Sequence, residues 1–504
     1  MKISQKDLDM EFEKLSIKIG LNIWNHYSSE GPSNIEESQN KMRDLLLANL
    51  SREIISEHGG NESKQKILHR VLLTAKVDFD SEVLSMQTEL DNNITNYIFR
   101  LRGNNIARVK LNDILANSSN RNERKEAYLA FHELHNFNEN KLKLLIQRRN
   151  KFAKEVGFRN YFEYSLFQQE IDETWLINNL TLIKKEIQKS YQKVLSLIAE
   201  QLQITLEDLA PYDIRYGFNR IMPEIDSLFR KDEAIKTLRK FITRIGFNFE
   251  NLPIKIKEKD IPYGGYSVAI SIPNDMRLLI NPYESEKFYY LLFHEFGHCL
   301  HGSHIMTTDP FMKGYEWVKG AHNSLYAEIM ADMLAEFLKN RGWLETFLNL
   351  SEKEINKVIA NQAIEDMYRI MGFLFKQELE KSLYETDCKR IDEIYTSLYQ
   401  ELFLVQIPQK YLINWADDTW YTSYPIYYYT YILAPLFSSD IHRRFRSING
   451  EKYYSDPKLS NTLCDYFYST GEESHWLKRI ETFLGRKIDL NYRLKEINGI
   501  ISYL

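Results

Sequence analysis

The chemistry this sequence makes most explicit lies in five residues, His294-Glu295-Phe296-Gly297-His298. In a helix, side chains four apart project from one face, so two imidazoles can bind one metal ion while the glutamate between them reaches a water held by it. With twelve histidines among 504 residues, composition alone would produce about 0.02 such segments per chain. Chance is a poor explanation. Phe288, Leu291, Leu292, Phe296 and Leu300 recur at helical spacing around the segment, which predicts a helix with one face in the core.

A hydrolytic zinc ion takes three protein ligands plus water, and two residues compete for the third place. His304 approaches the position of the last histidine in HExxHxxGxxH. However, His301 stands where that pattern has glycine and Gly302 follows, so the chain would turn one residue late. Glu328, thirty positions after His298, lies in SLYAEIMADMLAEF (324–337), a stretch of strong helix propensity. Asp332, one turn on, shares its face and can accept the N–H of a ligating histidine, and Glu336 continues that face. The preferred reading is one Zn2+ per chain held by His294, His298 and Glu328, backed by Asp332, with Glu295 as general base. Cys299, offset by one residue from His298, reads as a small apolar helix residue. His132 and His135 are three apart in the long amphipathic stretch Asn122–Val156, which ends at Gly157, and read as a helix face.

These residues need elements to position them. Sparse glycine and proline, 20 and 12 residues, favour helices over a turn-rich β architecture. The first 250 residues read as successive helices with short polar connections such as Gly31-Pro32-Ser33-Asn34 and Gly59-Gly60-Asn61. From Tyr263-Gly264-Gly265-Tyr266 the pattern changes to SVAISI, then Pro273-Asn274-Asp275, then MRLLIN. This predicts a hairpin directly before the HExxH helix. An edge strand there can hold an extended peptide by backbone hydrogen bonds. The expected fold is mostly α with a small sheet beside the metal helix, residues 1–250 forming much of one lobe and 251–504 the catalytic segment.

A net charge of −5 and a pI near 6.2 give no electrostatic reason to expect nucleic acid or an anionic membrane as partner. The N-terminal residues lack an apolar signal region, and no later run approaches a membrane span. Three widely spaced cysteines, Cys299, Cys388 and Cys464, lack a CxxC pair and suit a reducing cytoplasm.

HEFGHCLH with AEIMAD downstream, preceded by YGGYS and MRLLIN, resembles the thimet oligopeptidase and oligoendopeptidase F family of zinc metallopeptidases. Glu126-Ala127-Tyr128 and Arg148–Leu166 resemble that family's helix before its active lobe, so the likeness runs from about Asn122 to His442. The resemblance implies a two-lobed helical zincin with a deep channel that admits short unstructured peptides, and Gly265 and Tyr266 as substrate contacts. It also implies that Tyr424, Tyr428 and Tyr431 supply phenols to the substrate carbonyl and its oxyanion. By spacing alone these three share one face of an aromatic helix. The histidine that the family usually places shortly before this cluster is absent: Asp417, Asp418, Thr419, Trp420 and Tyr421 stand there. The function implied is endopeptidase cleavage of short peptides. A dipeptidyl carboxypeptidase of the angiotensin-converting type and a non-hydrolytic metal- or peptide-binding protein on the same scaffold are the alternatives.

Overall fold

Helices dominate the computed structural model, which describes residues 3–51, 62–261, 264–407 and 412–503. The Gly59-Gly60-Asn61 turn and Tyr263 lie outside the described residues. The longest helix, Arg121–Glu155, is the one expected at Asn122–Val156. Asn120 caps it by accepting the N–H groups of Asn122 and Glu123, and Gly157 leaves it with φ of 102°.

Strands are few among the described residues. Phe99–Leu101 (β1) and Asn104–Ile106 (β2) form an isolated antiparallel pair. Ile254–Glu258 (β3), Gly265–Ser271 (β4) and Asp275–Ile280 (β5) form a sheet of order β3-β5-β4. β4 and β5 are the expected antiparallel pair, whereas β3, parallel to β5, was not anticipated. Its sequence, IKIKE, is short and half charged. β5 is therefore central, with Met276, Leu278, Leu279 and Ile280 all buried, and β4 lies at an edge.

The HExxH helix spans Glu286–Gly302. Ser285 caps it, its hydroxyl accepting the Lys287 N–H at 3.1 Å, while Asp226 accepts from the Ser285 hydroxyl at 2.9 Å and the Glu286 N–H at 3.2 Å. The carboxylate-bearing partner helix is Ser324–Ala335, capped by Asn323, whose side chain accepts the Tyr326 N–H at 2.8 Å. All of its residues are buried, so Glu328 and Asp332 do not belong to a solvated face. These two helices cross at Gly297, where a Cβ would stand 2.7 Å from both the Cα and the carbonyl oxygen of Ala331. Only glycine permits that approach.

One apolar core runs from Leu8 to Ile501 and crosses position 250. The N-terminal helix, Gln5–Ser28, joins it by packing on β4, with Gly20 close against Ala269 and Ile270. No described helix is long and apolar enough to cross a membrane.

Gly297→Ala places a methyl where neither backbone can yield without separating the helices. Urea unfolding should show a loss of about 1–3 kcal/mol; an unchanged midpoint would mean that the crossing has room the geometry denies.

Candidate metal centre

His294, His298 and Glu328 converge, with one ligand-capable atom from each lying within 4.8 Å of the others. Asp332 lies 2.9 Å from the His294 Nδ1–H, which leaves Nε2 directed at Glu328, 3.3 Å from Oε2. His298 Nε2 is 3.9 Å from Glu328 Oε1. Asp332 also accepts the Tyr290 hydroxyl at 2.9 Å, so both the carboxylate and the imidazole it orients are fixed.

Burial alone would raise the Glu328 carboxyl, but the hydrogen bond and charge of His294, the charge of His298 and the Tyr427 phenol pull it down to about 2. Burial disfavours a charged His294, yet hydrogen bonds to Asp332 and Glu328 hold its imidazolium well above the ordinary histidine range. Burial lowers His298. Glu328 Oε2 is buried, with His294 Nε2 as its polar neighbour at 3.3 Å. Two imidazoles and a carboxylate whose ligand-capable atoms converge fit a tetrahedral zinc with an open fourth position.

Glu295 sits at the sheet side of this cluster, accepting the Ser267 hydroxyl of β4 at 2.7 Å. Gly265 lies against it: a Cβ there would be 3.4 Å from Glu295 Cγ, 3.3 Å from the Leu279 carbonyl oxygen and 2.6 Å from Ile280 Cδ1. Tyr266 shares a hydrogen bond with the Tyr424 hydroxyl at 2.9 Å and stacks on Trp317.

The tyrosines do not form the single helical face expected of Tyr424, Tyr428 and Tyr431. A short helix, Trp420–Ser423, ends before Tyr424, and the next, Tyr428–Asn449, begins four residues later. Pro425 disfavours a helical Tyr424, and Ile426 takes φ of 58°, an uncommon conformation for a β-branched residue. The break is held from behind. Arg149, on the Arg121–Glu155 helix, donates to the carbonyls of Tyr421, at 2.8 Å, and Thr422; Glu380 accepts the Ile426 N–H at 2.8 Å; Gln377 accepts the Tyr429 N–H at 2.9 Å.

This break sorts the phenols. Tyr428 donates to Asp418, which also pairs with Lys376 at 2.8 Å, so it is turned toward a structural ion pair. Tyr431 packs on Phe373 and Tyr427 and has no hydrogen-bond partner among the described residues. Burial raises its phenol, and Glu328 and Glu295 add to the rise, which places it within the field of both carboxylates. Tyr427, which the helical spacing passed over, donates to Glu328 Oε1 at 2.6 Å. The broken helix swings it inward, and no spacing rule would have found it.

Other candidates lie elsewhere. The His304 Nδ1–H donates to the Leu300 carbonyl at 2.8 Å and its ring meets Phe247 edge-on. Glu336 pairs with Lys339 at 3.2 Å in a buried network with Asp366 and Arg493. Cys299 is buried, and all three cysteines are free. His132 donates to the Ile413 carbonyl at 2.8 Å and His135 accepts the Ala416 N–H at 3.2 Å, so both brace the approach to the tyrosine loop. Two further residues were missed. Glu316 and His322 line a cavity that opens beside His298. Burial, then Glu295 and Glu328, pushes Glu316 up to about 8, and burial with the nearby His298 brings His322 down to about 4. A cation placed near Glu316 lowers it again.

Known proteins share these features in part. The model of peptidase family M3 matches residues 114–238, which include Arg149 but not the metal cluster. A curated relative, the group B oligopeptidase PepB of Streptococcus agalactiae serotype III (strain NEM316), is 24% identical over 384 residues, 69% of this chain and 59% of its own length. The chain thus spans less than two thirds of that relative. A solved structure described as a putative oligoendopeptidase F from Bacillus anthracis str. Ames superposes with a TM-score of 0.61 at 16% identity, over 96% of this chain and 84% of that one. Together these findings support the peptidase M3 and oligoendopeptidase F family and a mostly helical oligopeptidase-like fold.

Because Asp332 and Glu328 hold His294 protonated when no metal is bound, zinc must displace that proton. Affinity should therefore rise with pH from the ordinary histidine range upward, and calorimetry at pH 7 in buffers of different ionisation heat should show about one proton released per zinc. Asp332→Asn should weaken zinc by about 10–100-fold in a chelator competition. Binding independent of pH and of Asp332 would contradict this arrangement.

Proposed function

We propose that this chain belongs to the peptidase M3 and oligoendopeptidase F family and is a zinc-dependent oligopeptidase that hydrolyses internal bonds of short unstructured peptides. The observation that carries the reading is the convergence of His294, His298 and Glu328, with one ligand-capable atom of each within 4.8 Å of the others and Glu295 beside them.

Zinc held by these three side chains supplies Lewis acidity and an activated water. Glu295, held by the Ser267 hydroxyl, takes the proton of the attacking water and returns it to the leaving amine. Tyr431, whose hydroxyl has no hydrogen-bond partner among the described residues, donates to the oxyanion that forms on the scissile carbonyl. Tyr427 braces Glu328, and Tyr424, tied to Tyr266, orients the peptide. Burial keeps all three phenols protonated and able to donate. Tyr428 acts at a distance, holding the loop through Asp418. An extended peptide lies along β4, where Gly265 lets its backbone pass close to Glu295.

Wild-type protein should hold about one zinc per chain and cleave quenched-fluorescence peptides, while Glu295→Gln keeps the metal and loses at least about 100-fold in kcat. Tyr431→Phe should lower kcat by about 100-fold with little change in KM. Absence of turnover by zinc-replete wild type across a peptide panel would sink the enzymatic reading.

A further inference from the structure

The cavity beside His298 contains a carboxylate that the catalytic scheme does not use. It is a small opening between β4 and the two metal-bearing helices, and its wall includes Ser267 and Ala269 of β4, His298, Glu316 and His322. It thus begins at the proposed reaction site and extends along the strand on which the peptide is expected to lie. Glu316 makes no hydrogen bond or ion pair among the described residues, and its side chain is only partly covered. The other charged groups of the wall are engaged. Lys313, its one Lys or Arg, is tied to Glu13, and Glu472 accepts the Asn323 N–H at 3.3 Å. Glu316 is also close enough to Tyr266, Tyr424 and Tyr427 to act electrostatically on each of them.

A half-buried carboxylate without a protein partner is costly unless a ligand completes it. The complement it lacks is a hydrogen-bonding cation. We propose that Glu316 is a specificity-determining residue, binding a cationic group of the peptide, ammonium or guanidinium, in the cavity beside His298. This rests on the oligopeptidase reading, because it assumes a peptide seated along β4. The peptide can supply the cation from its free α-amine or from a lysine or arginine side chain near the scissile bond.

The test measures equilibrium binding in the zinc-loaded Glu295→Gln background, so that it does not depend on turnover. Three dye-labelled peptides of one sequence are compared: one with a free amine and a lysine, one N-acetylated, and one with that lysine replaced by norleucine. At least one cation-removing change should weaken binding by about tenfold, and which one does so identifies the source. Adding Glu316→Gln should bring that ratio close to one, while Glu316→Asp, which keeps the charge, should retain part of it. The conservative pair guards against loss of fold, which thermal melting monitors. Equal binding of all three peptides, no binding of any, or a preference that survives Glu316→Gln would overturn the proposal. Failure of the catalytic reading would look different: wild type would not turn over peptides whether or not the binding preference was present.

Discussion

Glu328 is a carboxylate on a helix with no solvent-facing residue, and such a group must be satisfied by its neighbours. The site is arranged around that requirement. His294 Nε2 meets Glu328 Oε2, while the Tyr427 phenol donates to Oε1, which lies 3.9 Å from His298 Nε2. The arrangement depends on backbone contact at Gly297 and Ala331, because a larger residue at the crossing would move Glu328 away from both histidines. Asp332, one turn further, then reaches His294 Nδ1 without any adjustment of the chain.

The second half of the site is positioned from a distance. Tyr427 reaches Glu328, and Tyr424 reaches Tyr266, where the chain breaks at Pro425 and Ile426, and Arg149, Glu380 and Gln377 hold that break through backbone groups. Arg149 lies on the helix Arg121–Glu155, within the segment that matches the peptidase M3 model, although that segment contributes no residue to the metal cluster. Its buried guanidinium ties this helix directly to the tyrosine loop. His132 and His135 of the same helix hold residues 413–416, so the HExxH-like pair there serves the tyrosine loop and not a metal.

Much of this was legible in the sequence where one local rule applied. The HExxH spacing located the helix, the carboxylates at 328 and 332 located its partner, and alternation around Pro273-Asn274-Asp275 located β4 and β5. The preference for Glu328 over His304 followed from one displaced glycine, and His304 indeed turns to its own helix carbonyl and Phe247. The remainder depended on contacts between distant segments. β3 was missed because its pairing with β5 outweighs a half-charged sequence. The single helical face expected of Tyr424, Tyr428 and Tyr431 does not form because the chain breaks at Pro425, where Glu380 and Arg149 hold Ile426 in a left-handed turn. Tyr427, Glu316 and His322 carry no spacing signal, and only the fold brings them to the metal cluster.

Anomalous diffraction at the zinc edge from crystals of the zinc-loaded protein tests the central claim most directly. The expected result is a single strong peak per chain bounded by His294 Nε2, His298 Nε2 and the Glu328 carboxylate, with Asp332 behind His294. A peak beside His301 or His304, or none at the HExxH helix, would contradict it.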